Sequence, residues 1–175
     1  MPSPVVRAAT VADIAAITAI YRPAVVEGTA SFELEPPDEA EMLRRYRAIV
    51  GDGFPYLVAE LAGAVVGYAY IGRYRPRPAY RFSVENSVYV APSAHRARVG
   101  RRLLAELIDL CTKAGYRQMI AVIGDSGQAG SIGLHRALGF TFCGTIHSVG
   151  YKHGRWLDSV LMQRALGAGD TTLPD

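Results

Sequence analysis

The chain has 175 residues, 50% hydrophobic and 20% charged, a balance that suits one domain with a substantial core. The net charge is only +3, no apolar stretch is long enough to span a bilayer, and the N-terminal MPSPVVRAAT lacks a signal-peptide pattern, so a cytoplasmic protein without a membrane partner is expected. Cys111 and Cys143 fit neither a disulfide framework nor a CxxC pair; both read as buried free thiols, and no metal site is expected.

In chain order, Val5 to Ala8 reads as a first strand. Thr10 and Asp13, three apart, form a capping pair for a helix whose apolar stripe is Ile14, Ile17, Ile20 and Tyr21. Pro36 and Pro37 lie in a loop, and Asp38 opens a second helix with Met42, Leu43, Tyr46 and Ile49 inward. PYLVAELAGAVVGYAYIG spells two strands joined by a tight turn at Ala62-Gly63. The loop RYRPRPAYR leads to a strand from Ser83 to Val90. A helix from Gly100 to Ala114 follows, with Leu103, Leu104, Leu107, Ile108 and Cys111 at helical spacing. RQMIAVIG is a strand, GSIGLHRAL a short helix ending at Gly139 and capped by Ser131, and Phe140–Ile146 and Ser159–Leu166 are closing strands. Lys152, His153 and Arg155 decorate a turn at Gly154, and Trp156 is a core or interface residue. The alternation predicts an α/β fold: one domain over residues 1–166, its sheet sandwiched by helices and containing antiparallel hairpins, then a frayed tail over 167–175.

Charge distribution says more than total charge. Arginines gather at positions 73, 75, 77 and 81, and again at 96, 98, 101 and 102. The second group crowds a helix start, where the dipole is already positive and cations destabilise. An anion would gain there instead, held by the unpaired backbone N–H groups of Arg98, Val99, Gly100, Arg101 and Arg102. Neither GxxxxGK[ST] nor GxGxxG occurs, which excludes the two commonest nucleotide loops and leaves some other phosphate-bearing ligand.

SVYVAPSAHRARVGRRLL resembles the acetyl-CoA signature of GNAT-type N-acetyltransferases, [QR]-x-x-G-x-[GA], with His95 at the first position and Arg98 replacing the first glycine. VENSVYV, MIAVIGDS, SIGLHRALGF and VGYKHGRWLD extend the resemblance to the phosphinothricin acetyltransferase branch over nearly the whole chain. It implies a mixed, mostly antiparallel sheet with a splayed strand and helices on both faces. It also implies acetyl-CoA as co-substrate, its diphosphate cradled by Arg96 and residues 98–102. Val88, Tyr89 and Val90 would offer backbone groups to the acetyl and pantetheine portions, and Gln128 stands where the family has an asparagine bonding the pantetheine chain.

Amide formation from a thioester needs a neutral amine, hence a base. Glu85 is the only carboxylate on the strand before the loop, and it matches the family's VE-x-x-VYV glutamate. His135, four residues before Gly139-Phe140, is placed either to protonate the leaving thiolate or to shape the pocket. Arg75 is expected to hold an acceptor carboxylate, with Tyr80 and Phe32 as walls. The branch implies a small amino-acid analogue such as phosphinothricin or methionine sulfoximine as acceptor, and a homodimer. Two other classes stay open: a coenzyme-binding sensor without turnover, and nucleic-acid binding through arginines interleaved with tyrosines, which the low net charge disfavours.

Overall fold

The computed structural model describes residues 3–174. Seven strands, β1 (Val5–Ala8), β2 (Tyr56–Leu61), β3 (Ala64–Arg73), β4 (Ser83–Val90), β5 (Gln118–Gly124), β6 (Thr141–Lys152) and β7 (Arg155–Ala165), form one sheet in the order β1-β2-β3-β4-β5-β7-β6. Every neighbouring pair is antiparallel except β4–β5. The β2–β3 hairpin turns at Ala62 and Gly63 with φ of 52° and 81°, the left-handed pair that a two-residue hairpin requires.

Period-two alternation assigns each face. Tyr56, Val58 and Tyr68 point to one side and pack on Ile17, Val25, Met42 and Tyr46 of α1 (Ile14–Val26) and α2 (Glu39–Gly51). Leu57, Ala59, Ala69 and Val84 point to the other, where Leu103, Leu104 and Leu107 of α3 (Val99–Lys113) are fully buried. The short helix α4 (Ala129–Ala137) covers this second face beyond β5, through Ile132 and Leu134, with Leu138 just past its end. Thr10 and Asp13 make the expected reciprocal capping box.

Several expectations need correction. The closing strands are longer than read, because register breaks at Phe142/Gly144 and Ile146/Gly150 interrupt their alternation. Cys143 is exposed on the edge strand, and only Cys111 is buried. Ser131 caps nothing: it lies inside α4, behind the cap residue Gln128. Trp156 is 63% exposed, so it is no core residue. Lys152 is buried at 4% exposure, with Nζ donating to the Ser31 carbonyl at 2.7 Å. Within the segment expected as a tail, Gly169 O, Thr172 Oγ1 and Leu173 O accept hydrogen bonds from Arg117, which leaves that expectation standing.

Candidate active site

β4 pairs with β5 only from Ser83–Gln118 to Asn86–Ala121. Beyond Asn86, β4 stays with β3 as far as Val90, while β5 stays with β7 as far as Gly124. The two strands therefore splay, and a cleft opens between them. The Ala91 N–H bonds the Val66 carbonyl at 2.8 Å on the β3 side. By alternation, the N–H groups of Val88 and Val90 point the other way, into the cleft.

A groove of about 750 Å³ runs from this cleft to the start of α3, a size suited to a large organic ligand. Val88, Tyr89, Val90, Arg96, Arg98, Val99, Gly100, Arg101 and Gln128 line it, whereas Arg102, expected among them, does not. One helical step turns Arg102 away from the wall that Gly100 and Arg101 form. Arg96 and Arg98 hold φ of 68° and 62°, so left-handed residues precede the helical ones and gather N–H groups into an anion-binding concavity. A Cβ on Gly100 would stand 3.2 Å from Leu134 Cδ2 and 3.5 Å from Val90 Cγ2, so a larger residue would crowd this wall. The cradle thus fits a diphosphate. His95 also lines the groove, its Nε2 3.2 Å from the Val90 carbonyl at the end of the splayed strand.

Glu85 faces the α1–α2 side of the sheet, opposite Gly72 in the β3–β4 register. Burial raises its pKa, and the positive charge of Arg75 partly opposes that rise. Burial also lowers the pKa of His135, against a raising contribution from the Ser131 carbonyl. The imidazole is 4% exposed and sits on the opposite sheet face from Glu85, in a smaller cavity with Asn86, Ser87, Gln128 and Ser131. Gln128 lines both cavities and donates to Thr29 Oγ1 at 3.0 Å.

The expected acceptor residues do not form one cluster. Arg75 and Tyr80 line a separate cavity of about 200 Å³ with Arg73, Arg77 and Arg81, and this cavity touches Val84 rather than Glu85. Arg75 also stacks on Tyr74, 5.1 Å from the ring centre. Phe32 lies across the cleft, in a slot where Cβ atoms on Gly124 and Gly150 would come within 2.9 Å and 2.5 Å of its ring. Lys152 and His153 anchor the same segment through Ser31 O and Gly28 O.

Sequence reading missed two groups. Pro23, Ala24, Glu27 and Gly28, at the end of α1, form the far wall of the groove; nothing local signals this, because α1 reaches the groove only through folding. Asn86 is the other. It is 6% exposed and bonded to His135, and a signal existed: it interrupts the inward row Val84, Val88, Val90.

A family profile described as an acetyltransferase (GNAT) domain matches residues 6–161. A phosphinothricin N-acetyltransferase from Alcaligenes faecalis is 56% identical over 163 residues, 93% of this chain and 83% of that protein. An L-methionine sulfoximine/L-methionine sulfone acetyltransferase from Pseudomonas paraeruginosa is 44% identical over 159 residues, covering 90% and 92%. Among solved structures, a GNAT superfamily phosphinothricin acetyltransferase from Sinorhizobium meliloti, in complex with AcCoA, superposes with a TM-score of 0.95 at 50% identity. That match covers 99% of this chain and 94% of the other.

Proposed function

The chain belongs to the GNAT acetyltransferase family, and from that premise we propose direct acetyl transfer from acetyl-CoA to the amine of a small amino-acid-like acceptor, with Glu85 as general base. The observation that carries this reading is the continuous path from the cradle at Gly100 to the splayed end of β4, with Glu85 at the base of the same strand. The names of the relatives support a phosphinothricin or methionine sulfoximine type of acceptor.

In this reading Arg96, Arg98 and the N–H groups opening α3 hold the diphosphate, while Val88 and Gln128 hold the pantetheine arm. Glu85 takes a proton from the acceptor's ammonium, directly or through water, and frees the nitrogen lone pair. That pair bonds to the thioester carbonyl carbon while the Val90 N–H receives the oxygen's growing negative charge. The C–S bond then breaks with its electrons on sulfur, the new amide nitrogen gives up its second proton to solvent, and His135 supplies the proton that yields a thiol. A raised Glu85 pKa suits a base working near neutral pH. Arg75, whose charge reaches Glu85, holds the acceptor carboxylate, with Tyr80 beside it in the same cavity.

The enzyme works in the cytoplasm as a homodimer in this reading. No described helix is long and apolar enough to cross a membrane. Large apolar side chains, Phe142, Ile146, Val149, Tyr151 and Trp156, stand exposed on β6 and its hairpin with β7.

Thiol release from acetyl-CoA, followed across a panel of amino acids and their sulfone, sulfoximine and phosphinate analogues, tests the proposal. Saturable release with an analogue carrying a free α-amine is expected. Coenzyme binding without release for any amine would make the protein a sensor instead.

A further inference from the structure

His135 has an unusual pair of neighbours. Its Nδ1 lies 2.8 Å from the Ser131 carbonyl oxygen and its Nε2 lies 3.0 Å from Asn86 Oδ1. The Asn86 amide is not free to turn over: Nδ2 donates to the Ile120 carbonyl at 3.1 Å, and the reversed amide would set oxygen against oxygen. Both ring nitrogens therefore face atoms that only accept hydrogen bonds. A neutral imidazole has one N–H, so it satisfies one acceptor and turns a lone pair on the other. An imidazolium satisfies both.

That distinction bears on the chemistry. A neutral imidazole has no readily lost proton for a thiolate, whereas an imidazolium gives up the Nε2 proton and keeps the one on Nδ1. Phe140 packs edge-on at 4.9 Å between centroids and offers no charge. Asn86 from β4, Ser131 and Gln128 from the α4 side, and Ile120 and Ala121 from β5 are likewise uncharged. The Ser131 carbonyl opposes the effect of burial on the ring, and Asn86 Oδ1 stands against its other nitrogen.

We infer that Asn86 is a positioning residue: its side-chain oxygen, paired with the Ser131 carbonyl, holds the Nε2–H of His135 and favours a second proton on the ring against the effect of burial. The inference rests on the reading of His135 as proton donor. The step balances. The thiolate's electron pair takes the Nε2 proton, the N–H pair stays on nitrogen, and the neutral ring keeps Nδ1–H on Ser131. Solvent then restores the lost proton.

The test is the ring ¹⁵N spectrum of His135, followed through a pH titration of the full chain beside the pH profile of kcat. Asn86→Leu, similar in size and without an acceptor, is expected to lower the midpoint of the ring by about one pH unit, the scale of one hydrogen bond to a charged group. Asn86→Asp is expected to raise it, which keeps the test informative if the leucine variant folds poorly. The basic limb of kcat should move in the same direction as each midpoint. Midpoints that stay put in both variants would overturn the role of Asn86. Midpoints that move while the kcat limb stays fixed would overturn His135 as the acid, yet leave the hold of Asn86 on the ring intact.

Discussion

Glu85 carries opposite consequences for activity and for stability. Burial raises its pKa despite Arg75, so the folded protein binds the proton more tightly than the unfolded chain does. The stability tied to this group is complete below the unfolded pKa and declines as pH rises through the folded value. Glu85→Gln removes both the proposed base and that decline. Turnover should fall about 10²–10⁴-fold, with the melting temperature at neutral pH unchanged or higher; steady-state kinetics and a thermal scan check the two arms. Arg98 poses a similar conflict. Its φ of 62° carries a penalty of about 1–2 kcal/mol for a residue with a Cβ, partly balanced in Arg98→Gly by glycine's backbone entropy. That variant should melt slightly higher while binding acetyl-CoA more weakly, through loss of a guanidinium beside the diphosphate. Calorimetry measures both, and unchanged affinity would remove Arg98 from the cradle.

Among the elements, the joint between β1 and α1 depends on one buried carboxylate. Asp13 receives both terminal nitrogens of Arg7 at 2.8 Å and the Thr10 N–H at 2.7 Å. The Arg7 bonds hold its pKa down at about 2, from an ordinary 3.8, against the opposing effect of burial. A lowered carboxyl pKa stabilises the fold above the unfolded value, and that stability is lost as pH falls towards 2. Asp13→Asn should cost about 1–3 kcal/mol at neutral pH and flatten the acid side of the stability curve, which denaturant titrations across pH would show. At the core of α3, the stripe of Leu103, Leu104 and Leu107 is buried as its spacing predicts. Cys111 on the same face has its thiol pushed up to about 12 by burial, so it is inert packing rather than chemistry. The exposed thiol is that of Cys143.

For the molecule as a whole, β6 ends the sheet and would be an unprotected edge in a monomer. Its exposed apolar side chains, with Trp156 against Tyr151 at 5.2 Å, support the proposed dimer. Sedimentation should give twice the chain mass for the parent, and Phe142→Asp with Trp156→Arg should shift it to monomer; a monomeric parent would remove the dimer from the reading. The helices and most strands were legible in the chain because their determinants are local: the capping pair at Thr10, the Ala62-Gly63 turn, and the spacing of leucines on α3. The cradle was legible too, because a loop and the helix it opens form one continuous stretch, from Arg96 to Arg101. Arg102 was misjudged, since which side of the helix meets the groove depends on packing. The late strands were truncated because bulges hide their alternation, and Lys152 was taken for a surface charge because its partner, Ser31, lies 121 positions away. By itself, then, the amino-acid order determined the family, the main elements and the loop that opens α3, and it supplied the proposed base, each carried by contiguous residues. The tertiary structure alone decided where β4 leaves β5, that α1 walls the groove, and that Asn86 meets His135 across 49 positions. Such contacts arise only when distant segments are brought together, and short-range spacing carries no record of them.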